Sequence, residues 1–171
     1  NLNIIILIID DAMHKLMGFI VDAEDEEDAV IEVENLLKED FVGEGRYYDY
    51  YTLFDDQKTK DRYGELPVVM LITSDAGKKF MQEQLKATKD AIKEAINSLK
   101  ESLNKNIDLD DYHQLLELLN KASNLSLTDC MHLFSVTNND GILTDKQLDD
   151  ILNEKLESGK KRFVVPVDLH F

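Results

Sequence analysis

Five of the six tyrosines and two of the three arginines in this 171-residue chain crowd into one stretch: Arg46, Tyr47, Tyr48, Tyr50, Tyr51, Arg62 and Tyr63. An aromatic ring can stack on a base. The planar guanidinium of arginine can clamp a carboxylate or phosphate through two parallel hydrogen bonds. The same residue types are enriched where proteins grip one another. A third reading needs no ligand: one face of a tyrosine-rich strand is core, and the other pairs across strands. For a pocket, Arg62 is the expected anion-binding group, with Tyr48 or Tyr50 stacking; Arg46, Tyr51 and Tyr63 complete the candidate surface.

Other chemistry-bearing patterns are sparse. Val136–Gln147 can be laid on a calcium loop, with Asn138, Asp140 and Gly141 at its third, fifth and sixth places. Val136 stands where the first aspartate belongs, and Gln147 where the bidentate glutamate belongs. Asn139-Asp140-Gly141 is also a turn sequence ahead of a capped helix, which needs no ion. The four histidines are scattered, with no HExxH or CxxC, so no metal and no cofactor is expected. Neither a nucleophile elbow nor a glycine-rich phosphate loop occurs.

Charge narrows the partners. Asp and Glu number 35 against 19 Lys and Arg, a formal net charge of −16. That surplus repels nucleic acid and anionic membranes and draws in basic surfaces. Lys155, Lys160, Lys161 and Arg162 form a basic cluster, but Glu154, Glu157 and the field of the whole chain oppose it, so direct nucleic-acid binding is not expected. The single cysteine, Cys130, excludes an internal disulfide and fits a cytoplasmic protein. The longest apolar run, Ile4 to Ile9, is far below the roughly 20 residues that span a bilayer.

The elements that must position these residues follow from periodicity. Residues 1–12 are either an extra strand or an extension upstream of a natural start at Met13; residues 13–171 form one domain. Leu16–Val21 reads as a sheet-centre strand. From the acidic run Asp22–Asp28, Asp22 or Asp25 would cap a helix through Ala29, Val33, Leu36, Leu37 and Phe41, or the run would serve a partner. Strands are expected over Arg46–Phe54 and Leu66–Thr73, with a polar loop between them. Ser74-Asp75 opens a helix to about Leu103, whose seam Met81, Leu85, Thr88, Ile92, Ala95 and Leu99 calls for a second helix. That second helix is either Leu109–Lys121, closing a helical hairpin, or another copy of the chain in a homodimer through helix 75–103. Cys130–Val136 and Arg162–Leu169 read as strands around a helix opened by the capping box Thr144–Gln147. The class is α+β with a mixed or antiparallel sheet, ferredoxin-like in outline, carrying an inserted helical hairpin.

Several short pieces, His14-Lys15-Leu16-Met17-Gly18-Phe19, Tyr48-Asp49-Tyr50-Tyr51, Asp61-Arg62-Tyr63-Gly64, Asn139-Asp140-Gly141 and Val164 through Phe171, resemble a group of small acidic proteins from archaeal genomes, plasmids and viruses. The resemblance extends over most of residues 13–171, favours Met13 as the start, and implies no activity. The expectation from the residues is a non-enzymatic protein that binds a basic macromolecular partner through its acidic surface and tyrosine-rich strand. The alternatives are a small-molecule pocket or active site around residues 46–63, and a degenerate calcium-loop protein.

Overall fold

Two strands at opposite ends of the chain carry the structure. In the computed structural model, which describes residues 13–104, 113–114, 116, 120, 130–141 and 144–171, β1 (His14–Ala23) and β6 (Lys161–His170) pair antiparallel over ten residues, from His14 opposite His170 to Ala23 opposite Lys161. Between them in sequence lie α1 (Glu26–Leu36), a π-helical turn (Leu37–Phe41), β2 (Tyr50–Leu53), α2 (Gln57–Tyr63), β3 (Met70–Leu71), α3 (Asp75–Asn104), β4 (Leu133–Ser135), β5 (Asp140–Gly141) and α4 (Asp145–Asn153). The sheet runs β2-β6-β1-β4-β5, with β3 also on β6. Among the described strands, β1 and β4 pair parallel and the other pairs antiparallel, so the sheet is mixed and the class is α+β, as expected. β6-β1-β4-β5 repeats the strand directions of a ferredoxin-like sheet, but the strand parallel to β1 here precedes its edge partner in the chain.

Both faces of the β1–β6 pair are covered, which is why each strand reads as an almost unbroken apolar run rather than an alternating one. On one face Met17, Phe19, Val21, Phe163, Val165, Val167 and Leu169 pack with Ala29 and Val33 of α1 and with Leu37 and Phe41. On the other, Ile20, Val164 and Leu133 meet Phe80, Met81 and Leu85 of α3 and Leu148 and Ile151 of α4. This second face is apolar only in its middle. Its residues on β6 are, in order, Arg162, Val164, Pro166, Asp168 and His170, opposite Asp22, Ile20, Gly18, Leu16 and His14. Charged side chains therefore occupy both of its ends, beyond the reach of α3's apolar residues.

The outer edge of β6 is shared by two short strands laid end to end. β2 pairs with residues 167–170 and β3 with 163–164. The gap between them falls at Pro166. The Arg162 carbonyl accepts from the Ile72 N–H and the His170 carbonyl from the Asp49 N–H, so even-numbered residues of β6 direct their backbone groups outward. The donor that Pro166 lacks would have pointed into the gap, and the ladder with β1 loses nothing.

Local signals for the helices match the sequence reading. Asp25 accepts from the Asp28 N–H and caps α1, and acids fill its first turn. Thr144 accepts from the Gln147 N–H and donates its hydroxyl to the Gln147 side chain, starting α4. α3 runs 30 residues, buried along Phe80, Met81, Gln84, Leu85 and Thr88; farther along, Ile92, Ala95 and Leu99 are half-buried, and Ile96 and Leu103 are exposed. Of the helix expected over Leu109–Lys121, only His113, Gln114, Leu116 and Asn120 are described, all helical; the rest of it, like residues 1–12, lies outside the described residues.

Three expectations need correction. The strand expected over Arg46–Phe54 is confined to Tyr50–Leu53, because Gly43 and Gly45 hold a turn that bridges Val42 to Tyr48. The expected strand Leu66–Thr73 shrinks to two residues, and the polar loop before it contains α2. Asp56 caps that helix by accepting from the Thr59 N–H. It ends at Gly64, whose φ of +84° is a conformation that side chains disfavour.

Candidate functional site

Asp168 occupies an even position of β6, at the end of the α3-covered face that α3's core residues do not reach, and it is 1% exposed. A carboxylate that deep needs donors. Arg62 supplies one, NH1 to Oδ2 at 2.6 Å; the His14 ring donates from Nδ1 to Oδ1 at 3.0 Å, and the Tyr63 hydroxyl to Oδ1 at 3.3 Å. The donors come from α2 and from the first residue of β1. This explains why a seven-residue helix with no apolar stripe stays on the sheet. Thr59, its buried residue, adds a hydroxyl contact to Thr52 of β2 at 2.6 Å.

Beside this cluster is a cleft of about 290 Å³ whose lining includes Tyr50, Thr52, Asp56, Lys58, Arg62 and Asp168. Tyr50 stacks on the His170 ring at 4.4 Å and 14° between planes, and His14 meets His170 edge-on at 4.8 Å.

The tyrosine-arginine group is thus divided by the sheet. Tyr50, Arg62 and Tyr63 gather on the Asp168 side. Tyr48 turns to the opposite face, where it is 1% exposed in the core over Met17. Tyr51, on that same face, donates its hydroxyl to Glu34 of α1 at 2.9 Å; burial, then this bond, raises its pKa above the usual tyrosine value. Arg46 is exposed in the turn. The anion-clamp role expected of Arg62 meets an obstacle, since its guanidinium already answers Asp168. Tyr48, buried in the core, has no face left for stacking.

Sequence reasoning missed Asp168 and His14 as members of this group. Arg62 and Asp168 are 106 positions apart, and only the pairing of the two terminal strands brings them together. Among the described residues no three His, Cys, Asp or Glu side chains converge as a metal-binding set.

A second candidate surface lies across the sheet. From Glu24 to Glu44 the chain holds ten acids and one lysine, a net −9 of the total −16. All but Glu34 of those acids are exposed. Five of them, Glu26, Glu27, Asp28, Glu32 and Glu34, lie on α1 and the other five on the segments before and after it, with Ile31 48% exposed among them and the 64% exposed Tyr47 in the turn that follows. Acids in the first turn of α1 offset the positive end of its dipole, but that explains Glu26, Glu27 and Asp28 and leaves Glu32, Glu39, Asp40 and Glu44 unexplained.

The sequence pattern of DUF7995, a domain of unknown function, matches residues 13–171. The chain belongs to that family. The DUF7995 match takes in β1 through β6 and every residue of the two surfaces just described. No curated protein and no solved structure matches the chain. Among the described residues of this DUF7995 member, no helix is long and apolar enough to cross a membrane.

Proposed function

We propose that this protein is a non-enzymatic binding protein whose acid-rich α1 face, rimmed by Tyr47, docks a basic protein surface. The observation that carries the reading is concentration of charge. More than half of the net negative charge sits in 21 consecutive residues wrapped around one helix. Spread evenly, such charge would serve solubility alone. Gathered along one segment, it accelerates encounter with a positive surface and fixes orientation, and Ile31 and Tyr47 offer exposed apolar contact area within and beside it. The same field repels phosphate backbones, so duplex DNA is not the proposed partner. The proposed setting is the cytoplasm of an archaeal or viral system, on the strength of the lone thiol Cys130 and the motif resemblance.

The test compares the wild-type chain with a variant carrying Glu26→Gln, Glu27→Gln, Glu32→Gln and Glu39→Gln as bait in extract of the native host. Support would be capture of one dominant basic protein, its release by moderate salt, and its loss from the variant. Equal capture by both baits, or capture insensitive to salt, refutes the reading. A second reading, a small polar ligand in the Asp168 cleft, is favoured by the cleft's volume and by Tyr50 at its edge. Saturable shifts of the Tyr50 and Thr52 amides with a metabolite, unaltered in the four-glutamine variant, would favour it instead.

A further inference from the structure

At the opposite end of the β1–β6 ladder from Asp168 there is a second concavity, of about 320 Å³, between residues 71–73, the end of α4 and the start of β6. Leu71 and Leu152, 36% and 39% exposed, form its walls with the half-buried Leu156. Ile72, 6% exposed, also lines it, and Arg162, 5% exposed, closes one end. Asp22 fixes the Arg162 guanidinium through two bonds, Nε to Oδ1 at 2.5 Å and NH2 to Oδ2 at 2.6 Å. Lys160 and Lys161 also line it.

Two features of this concavity run against the rest of the molecule. Its leucines remain open to water although the core lies beside them. Its lining holds three consecutive cations, Lys160, Lys161 and Arg162, against one carboxylate, Glu154, in a chain of net −16. Asp22 answers Arg162, Glu154 lies 3.8 Å from the Arg162 NH2, and Glu157 lies 3.3 Å from Lys160, so three carboxylates offset the three cations and the local balance approaches neutrality. An apolar wall ending in cations complements a molecule with an aliphatic body and one anionic end.

The geometry points to a binding site for a small aliphatic carboxylate, its chain along Leu71, Leu152 and Leu156 and its carboxylate toward Lys161 and Lys160. The site is separate from the α1 face and stands or falls independently of the partner proposed there. Octanoate is a direct probe, titrated below its micelle concentration at constant ionic strength into the full chain labelled for NMR. Octanol and acetate run in parallel. The expected result is saturable shifts at Leu71, Leu152, Leu156 and Lys161, with octanol and acetate each at least about tenfold weaker. Leu152→Gln should weaken octanoate about tenfold and Lys161→Gln several-fold, with unchanged melting temperature, since both side chains are exposed. No saturable shift overturns the proposal. So does octanol binding as tightly as octanoate, which reduces the site to bare apolar surface, and so does acetate matching octanoate. Undiminished binding by Leu152→Gln overturns its location.

Discussion

Asp168→Asn is the most informative single substitution at the polar end of the sheet. It keeps size and shape while removing the charge that Arg62 answers, and it turns one of two acceptor oxygens into a donor facing a ring of donors. Asp168 is 1% exposed and the Arg62 side chain 16%, with 2.6 Å between them, so little solvent screens the loss. Breaking a buried pair from one side costs about 3–5 kcal/mol. Because Arg62 retains a route to water, the low end applies, about 3 kcal/mol. For a chain of this length that is a fall in melting temperature of about 6–12 °C. Urea denaturation at pH 7 measures it directly, provided the m-value is unchanged. Arg62→Met should cost a similar amount. The double variant should cost less than the sum of the two singles, because it leaves neither charge stranded. A change below about 0.5 kcal/mol in Asp168→Asn, the size of an ordinary surface substitution, would refute the claim that this carboxylate holds α2 to the sheet.

Gly18→Ala should destabilise by about 1–3 kcal/mol in thermal denaturation, because a Cβ there would stand 2.7 Å from Phe80 Cε1 and 2.8 Å from Leu133 Cδ2. Thr144→Ala removes the α4 cap and should cost about 1 kcal/mol, whereas Thr144→Ser should restore most of it. Burial, and then the Lys15 charge, lower the His132 pKa below its ordinary 6.5, so the unfolded chain takes the proton first. The stability due to neutral His132 is complete above pH 6.5 and declines as pH falls through that value toward the folded pKa. His132→Asn should flatten that part of the stability–pH curve, measured by urea midpoints between pH 5 and 7.5.

The sequence revealed most where local rules act alone. Asp25 and Thr144 announced their helices because a cap is satisfied within three residues. β1 and β6 announced themselves as central strands because burial on both faces removes polar positions from the run. The α2 helix did not, since seven residues with a single buried threonine leave no periodic trace. Asp22 was readable as a cap but sits in β1 opposite Arg162, a pairing set by a register spanning nearly the whole chain. The tyrosine cluster was visible in composition. Its division was not, because Tyr48 leaves the strand's alternation at the turn held by Gly43 and Gly45 and joins the opposite face.

Pro166 has a bearing on colloidal behaviour. Sheets whose borders are long and regular invite other molecules to extend them, the first step toward fibrils. Here the border beside β6 is cut into pieces of four and two residues, and the interval between them faces a ring nitrogen that cannot donate. A foreign chain sliding into that interval would find its hydrogen-bond register broken at the midpoint. The chain thereby limits its own recruitment into ribbons by geometry, a safeguard that persists at high salt, where the mutual repulsion of its acids fades.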